Sequence, residues 1–217
     1  MASDKATIGL FGGSFDPPHL GHEALVRAAI EQLELDEVWV IPAGSPVHRT
    51  LSGCADARLR LKWLEEIFSD TDDVRVVDWE VDQSKPVPAV TTLRQFKAQN
   101  PDVTPIWLSG ADAFEGMSSW VDYPAHLKLC SVAVFDRSKR SALIDGVDWK
   151  QVSLSGWLQN EVDDPGYYIC IDAVLPDVSA TEIRDRAEIG ESLKGLVNSR
   201  ISEEVESRYR SGAGDKH

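Results

Sequence analysis

The chain is poor in the features that mark most specialised classes. Its three cysteines, Cys54, Cys130 and Cys170, are odd in number and far apart. With no C-x-x-C pair they exclude a disulfide framework and a zinc knuckle. Cys130 and Cys170 lie in apolar runs and read as buried thiols. No apolar run reaches the roughly 20 residues of a membrane span. The N-terminal M-A-S-D-K lacks the apolar stretch of a secretion signal, so the expected setting is reducing and cytoplasmic. Positive charge is scarce: 22 Lys and Arg stand against 36 Asp and Glu, a net charge of −14. That surplus argues against extended binding to nucleic acid or an anionic membrane, while leaving room for a small local pocket for a phosphorylated metabolite. Two nucleotide-binding signatures are also missing. There is no G-x-x-x-x-G-K-[ST] loop, and no G-x-G-x-x-G follows the first predicted strand.

What is present is an ordinary globular composition, 42% hydrophobic and 27% charged. At 217 residues the chain is long enough to bury a core without disulfides or metal. Short apolar segments at 7–10, 38–41, 74–81, 105–108, 131–135 and 167–174 read as strands. Residues 23–35 place Leu25, Val26, Ala29, Ile30 and Leu33 on one helical face. Residues 57–68 do the same with Leu59, Leu61, Trp63, Leu64, Ile67 and Phe68. Further helices are predicted over 91–99, from Val178 onward, and over 201–209, while 138–166 reads as an irregular surface excursion. Strands alternating with helices imply an α/β fold, Rossmann-like and doubly wound, with a mostly parallel sheet covered on both faces. The expectation is a single domain over 1–210, its C-terminal helical part over about 178–210, and then a flexible tail at 211–217.

The densest chemistry lies at residues 7–22, T-I-G-L-F-G-G-S-F-D-P-P-H-L-G-H. A strand is expected to run into a tight turn at Gly12-Gly13, with a helix restarting near Pro17-Pro18. Those are the parts of a phosphate site, in which backbone N–H groups and the helix dipole favour an anion. His19 and His22, three apart, share one face of the first helical turn. This spacing also serves metals, but no third ligand stands nearby, so hydrogen bonding to phosphate fits better. Other polar groups follow predicted strand ends: His48-Arg49, the run from Ser109 to Asp112, and the run from Ser179 to Arg184. In a parallel sheet all these ends lie on one edge, where ligands bind. Each group alone has a plain structural reading. Asp16-Pro17 is a helix cap before a proline, Ser179 with Glu182 fits the S-x-x-E capping pattern, Trp120 is a core aromatic and Asp112 a cap. Their joint order after strand ends favours the functional reading.

Together these residues carry a resemblance. G-G-S-F-D-P-P-H-L-G-H resembles the G-G-[ST]-F-D-P-x-H-x-G-H signature of the nucleotidyltransferases related to class I aminoacyl-tRNA synthetases. In its long form it is similar to that of the bacterial nicotinate-nucleotide adenylyltransferases. Four later segments resemble that family in order. Pro46-Val47-His48-Arg49 matches its P-P-H-R, and the run from Leu108 to Asp112 its I-x-G-x-D. Ser118-Ser119-Trp120 matches its P-T-W, and the run from Val178 to Arg184 its I-S-[SA]-T-x-I-R. The resemblance spans nearly the whole chain. It implies transfer of AMP from ATP to the 5′-phosphate of nicotinate mononucleotide, giving deamido-NAD and pyrophosphate in NAD biosynthesis.

The resemblance also implies roles. His22, His19 and Arg184 are the catalytic set, with His22 foremost and both histidines on the ATP phosphates. Amides of Gly12, Gly13, Ser14 and Phe15 hold the attacking phosphate and nearby ribose. Ser179, Thr181 and Arg184 grip the β- and γ-phosphates, and Gly110 and Asp112 line the nucleotide pocket. His48, Arg49, Ala89, Val90 and Trp120 contact the mononucleotide, Trp120 by stacking on its pyridine ring. No metal site in the protein is implied, Mg2+ being expected through the ATP phosphates. The partners are ATP and a pyridine mononucleotide, with no nucleic acid or membrane; a homo-oligomer is compatible with the sequence. One segment departs from the family. Pro86-Val87-Pro88-Ala89 stands where P-S-Y-T is usual, and Pro88 offers no backbone N–H. A carboxylate wants N–H donors whereas an amide also wants an acceptor. Nicotinamide mononucleotide, giving NAD directly, is therefore the alternative acceptor. A transferase using phosphopantetheine or CTP shares only the first motif, and a non-catalytic nucleotide-binding regulator has no need of the full phosphate clamp.

Overall fold

The computed structural model describes residues 6–44, 54–135, 148–159 and 164–210. Seven strands, β1 (Ile8–Gly13), β2 (Glu37–Pro42), β3 (Val74–Val76), β4 (Ile106–Gly110), β5 (Ser131–Phe135), β6 (Lys150–Gln151) and β7 (Tyr167–Ile171), form one parallel sheet. Their order is β3-β2-β1-β4-β5-β7-β6. The chain steps outward from β1 to β3 on one side, then crosses to β4 on the other, so the direction of winding reverses between β1 and β4. The helices are α1 (Leu20–Leu33), α2 (Ala57–Phe68), α3 (Ala89–Gln99), α4 (Ala111–Glu115), α5 (Leu154–Leu158), α6 (Ala180–Glu188) and α7 (Ser202–Tyr209), with short 3-10 turns at Met117–Ser119 and Ala125–Lys128.

Alternating residues of each strand feed two cores, as the period of two requires. Phe11, Val38, Val40, Ile106, Leu108, Ala133, Phe135, Ile169 and Ile171 pack on one face with Leu25, Val26, Ala29 and Leu33 of α1. Ile8, Leu10, Trp39, Ile41, Trp107, Val132, Val134 and Tyr168 pack on the other with Leu93 and Phe96 of α3 and Phe114 of α4. Strands buried on both faces read as continuous apolar runs, which is why they stand out in the sequence. A third cluster joins Trp63 and Ile67 of α2 to Ile183 of α6 and Val205 and Tyr209 of α7.

Three expectations are corrected. Gly12 and Gly13 are the last residues of β1, paired with Ile41 and Pro42 of β2, so the turn comes after them. The strand predicted over 74–81 ends at Val76. Beyond Val77 the chain turns, with Val81 N–H donating to the Asp78 carbonyl at 3.0 Å, and Trp79 packs edge-on against Trp39 at 5.4 Å. The described part of 138–166 is no surface excursion: it supplies β6 and α5, and Trp149 is buried in the core beside Phe114. Two-residue β6 and five-residue α5 are too short to show a periodicity. Residues 136–147 and 160–163 of that region, and the tail at 211–217, lie outside the described residues.

The third cluster makes a prediction. The fully buried Trp63 indole N–H donates to Glu204 of α7 at 2.8 Å, tying α7 to α2. Trp63→Ala removes a large side chain and that bond, so it should cost about 3–5 kcal/mol, read as the shift in urea midpoint. An unchanged midpoint would contradict the packing.

Candidate active site

The site is built at the carboxyl edge of the sheet, where β1 and β4 lie side by side and the winding reverses. A Cβ on Gly12 would come within 2.8 Å of the Trp107 indole, and one on Gly13 within 3.0 Å of the Phe15 ring. Packing beneath the strand end thus demands both glycines. Gly110, ending β4, has nothing within 4 Å of where its Cβ would sit. The space above it is open to a close backbone approach by a ligand.

After Gly13 the chain passes through Ser14 to Phe15, which adopts a left-handed φ of 47° that non-glycine residues seldom take. The Phe15 ring is buried, 5.2 Å from Phe11 and 4.9 Å from His22, so only its backbone can face a ligand. The Asp16–Pro17 peptide is cis. Asp16 and Pro17 each precede a proline and are held out of the helical region. The helix therefore starts at Leu20, with His19 extended as its N-cap, later than Pro17-Pro18 suggests.

The two histidines form a unit. The His19 backbone N–H donates to His22 Nδ1 at 3.1 Å, and the rings stack at 3.6 Å with an interplanar angle of 21°. A neutral imidazole that accepts at Nδ1 carries its proton on Nε2. His22 is thereby set as an Nε2–H donor, backed by Phe15 and Phe11. Gly21 between them is needed because a Cβ there would lie 3.0 Å from the His19 ring and 3.3 Å from Val178. Val178 leads into α6, so this glycine lets the starts of α1 and α6 meet and brings two positive dipole ends to one place.

At the start of α6, Ser179 Oγ accepts from the Glu182 N–H at 3.2 Å, the expected cap. The Glu182 carboxylate pairs with Arg186 at 3.0 Å, where a full capping box would return it to the Ser179 N–H. Arg184 donates to Thr181 Oγ1 at 3.1 Å and to the Asp16 carbonyl at 2.6 Å. Thus Gly12 to Phe15, His19, His22, Ser179, Thr181 and Arg184 are gathered at one corner. Asp112 is exposed in the first turn of α4, just past Gly110. Ala89 and Trp120 belong to the cluster around Trp107, whose indole underlies Gly12, and Trp120 meets Trp107 edge-on at 6.2 Å. Val90 is buried and has only its backbone to offer a ligand. His48 and Arg49 lie outside the described residues.

Known proteins are similar to this chain over most of its length. A family model described as Cytidylyltransferase-like matches residues 10–186. A protein of Chromobacterium violaceum named "Probable nicotinate-nucleotide adenylyltransferase" is 31% identical over 201 residues, covering 89% of this chain and 93% of that one. A Thermotoga sp. (strain RQ2) protein of the same name is 31% identical over 202 residues, covering 93% and 96%. The chain belongs to this nucleotidyltransferase family. The fold agrees: Plasmodium falciparum nicotinic acid mononucleotide adenylyltransferase, complexed with NaAD, aligns with a TM-score of 0.69 over 94% of this chain and 96% of that one, at 19% identity. The same enzyme complexed with APC gives a TM-score of 0.67 at 17% identity.

Three residues not singled out in the sequence, Tyr209, Arg60 and Glu80, carry buried polar groups in this region, as does Asp16, read there only as a helix cap. The buried Asp16 carboxylate accepts from the Ala55 N–H at 2.9 Å and the Tyr209 hydroxyl at 2.5 Å. Burial, and then the bond to Asp16, push the Tyr209 hydroxyl above its usual ionisation range. Arg60 is buried, and burial lowers its pKa against the opposing pull of Asp16. Arg60 could have been noticed, because it stands at the i position of the stripe Arg60-Trp63-Leu64-Ile67, where an apolar residue is expected. Glu80 accepts from Thr92 Oγ1 at 2.6 Å, and burial raises its carboxyl to about 7. Among the described residues no three His, Cys, Asp or Glu side chains come together to hold a metal ion, and no helix is long and apolar enough to cross a membrane.

Glu80 gives a pH prediction. Its folded pKa of about 7 lies above the ordinary 4.5, so the native state keeps a proton that the unfolded chain releases. Its stabilisation is complete below about pH 4.5 and is lost as pH rises through about 7. Glu80→Gln keeps an acceptor for Thr92 without the ionisation. Its melting temperature should therefore gain on the wild type between pH 5 and pH 8, by roughly 2–4 °C for each kcal/mol involved. A pH-independent difference would contradict the assignment.

Proposed function

We propose that this chain transfers AMP from ATP to the 5′-phosphate of nicotinate mononucleotide, forming deamido-NAD and releasing pyrophosphate. The observation that carries the reading is the meeting of His22, Arg184 and the Gly13–Asp16 backbone at the paired starts of α1 and α6. Two helix N-termini, a fixed imidazole donor and a guanidinium in one corner suit a substrate bearing several phosphates.

The attacking group is a phosphate monoester whose second pKa is about 6, so it is largely dianionic at neutral pH. One of its oxygens bonds to the α-phosphorus of ATP, and the bond from that phosphorus to the bridging oxygen of the β-phosphate breaks. No proton has to be removed and no protein nucleophile is needed. Catalysis is then alignment and charge neutralisation. Backbone amides of Gly12 to Phe15 hold the attacking phosphate. His22 donates from Nε2 to the α-phosphate oxygens as negative charge shifts towards the leaving group, with stacked His19 fixing its orientation. Thr181 and Arg184, behind the Ser179 cap, hold the β- and γ-phosphates of the departing pyrophosphate. Gly110 and Asp112 receive the adenosine side; Mg2+ carried by the ATP phosphates would supply further positive charge at those phosphates.

The acceptor preference rests on α3. It opens at Ala89 behind the extended Pro88, with no side chain capping its first turn. An uncapped helix start offers N–H donors and positive potential, which favours the carboxylate of nicotinate. Trp120, edge-on to Trp107 in the cluster that Ala89 also packs against, stacks on the pyridine ring, and His48 and Arg49 complete the mononucleotide contacts. The missing hydroxyl at Ala89 and missing donor at Pro88 favour nicotinamide mononucleotide as the second choice.

With ATP and Mg2+, pyrophosphate should be released when nicotinate mononucleotide is offered and more slowly with the nicotinamide form. Release only with the amide would reverse the order of acceptors, and none with any mononucleotide would refute the reaction. His22→Ala should lower kcat about 10²–10³-fold, the scale of losing one transition-state donor, while mononucleotide affinity measured by calorimetry stays within a few-fold. Unchanged turnover would remove His22 from its role.

A further inference from the structure

Arg60 stands on the buried side of the corner just described, and its partners are unusual. Among the described residues all are backbone carbonyls, from three separate segments. One Nη1–H reaches the Ser14 carbonyl of the loop after β1. Nη2 donates to the Ala43 carbonyl at 2.7 Å and the Gly44 carbonyl at 2.9 Å, just past β2. Nε donates to the Ala55 carbonyl at 3.1 Å, just before α2. A guanidinium has five N–H donors in a rigid planar fork, and here they are spread over the ends of β1 and β2 and the approach to α2. Burying that charge is costly, and an apolar side chain would serve α2 equally well as core.

The geometry explains the choice. In a trans peptide the C=O and N–H point to opposite sides. Drawing the Ser14 carbonyl inward to Arg60 turns the Phe15 N–H outward. Phe15 holds a left-handed φ of 47°, a conformation unfavourable for an L-residue, and such turns make the backbone concavities that hold anions. The Phe15 ring, wedged against Phe11 and His22, fixes the peptide from the other end.

We infer that Arg60 is a positioning residue: it presets the Ser14–Phe15 peptide to face the attacking phosphate before any substrate arrives. This rests on the reaction proposed above. Arg60 acts through the loop and touches no reacting atom.

The test compares Arg60→Lys with Leu64→Ala, a core truncation on the same helix, by measuring Tm, kcat and KM for each substrate. A lysine keeps the charge but cannot span three segments. Its kcat/KM for the mononucleotide should fall about 100-fold, the scale of an ångström-sized misplacement, and KM for ATP should change far less. Leu64→Ala, with an equal or larger loss of Tm, should stay within about 3-fold of wild type. Equal activity losses in the two variants, or wild-type kinetics in Arg60→Lys, would overturn the inference. If Arg60→Lys does not fold, crystal structures of the wild type without ligand and with the mononucleotide decide. The Ser14 carbonyl should rest on Arg60 and the Phe15 N–H should point the same way in both, whereas a Ser14–Phe15 peptide that turns over on binding would overturn it. A wild type that releases no pyrophosphate counts against the reaction instead, and is distinguished by that.

Discussion

The buried carboxylate and carbonyl of Asp16 are where the parts of this molecule meet. The carboxylate takes the hydroxyl of Tyr209 at the end of α7 and the N–H of Ala55 ahead of α2, and the carbonyl takes Arg184 of α6. A loop leaving the edge of a parallel sheet has polar backbone groups that no strand can satisfy. Here Arg184, 168 positions away, satisfies the Asp16 carbonyl, and groups 39 and 193 positions away bond its carboxylate. The C-terminal helices are therefore more than an appendage to the sheet. They hold the first loop through Asp16 while Arg60 holds it at Ser14, and Arg184, proposed to bind phosphates, is oriented by the same contact.

The electrostatics of the corner run against those of the whole. The chain carries a net charge of −14, yet Arg60, Arg184 and the starts of α1 and α6 converge where phosphates are proposed to bind. Over distances beyond about 10 Å salt screens the general negative field, and within the pocket the local donors decide. His22, which accepts the His19 amide at Nδ1, presents Nε2 as its hydrogen-bond donor.

The strands and long helices were legible in the sequence because burial on both faces writes continuous apolar runs, and amphipathic helices write a 3.6-residue period. Residues 7–10, 38–41, 105–108 and 131–135 stood out for that reason. β6 and α5 did not, since two and five residues carry no period, and Trp149 among polar neighbours concealed a core position. The pairing of His19 with His22 and the capping by Ser179 were readable from spacing, being local contacts. Asp16 with Tyr209, and Arg60 with three carbonyl-bearing segments, join residues that only the closed fold brings together. Arg60 left one trace, a charge on an apolar stripe. The double glycine was legible as a motif but its physical cause was not: Gly12 makes room for Trp107 and Gly13 for Phe15.

The central claim is that the first loop, His22 and Arg184 form one phosphate-binding corner. A crystal structure with a non-hydrolysable ATP analogue and Mg2+ tests it most directly. Phosphate oxygens are predicted within hydrogen-bond distance of His22 Nε2 and the Arg184 guanidinium, above a loop whose Ser14–Phe15 peptide has not moved. An analogue whose phosphates lie away from both side chains, or a loop rebuilt around them, would contradict the account.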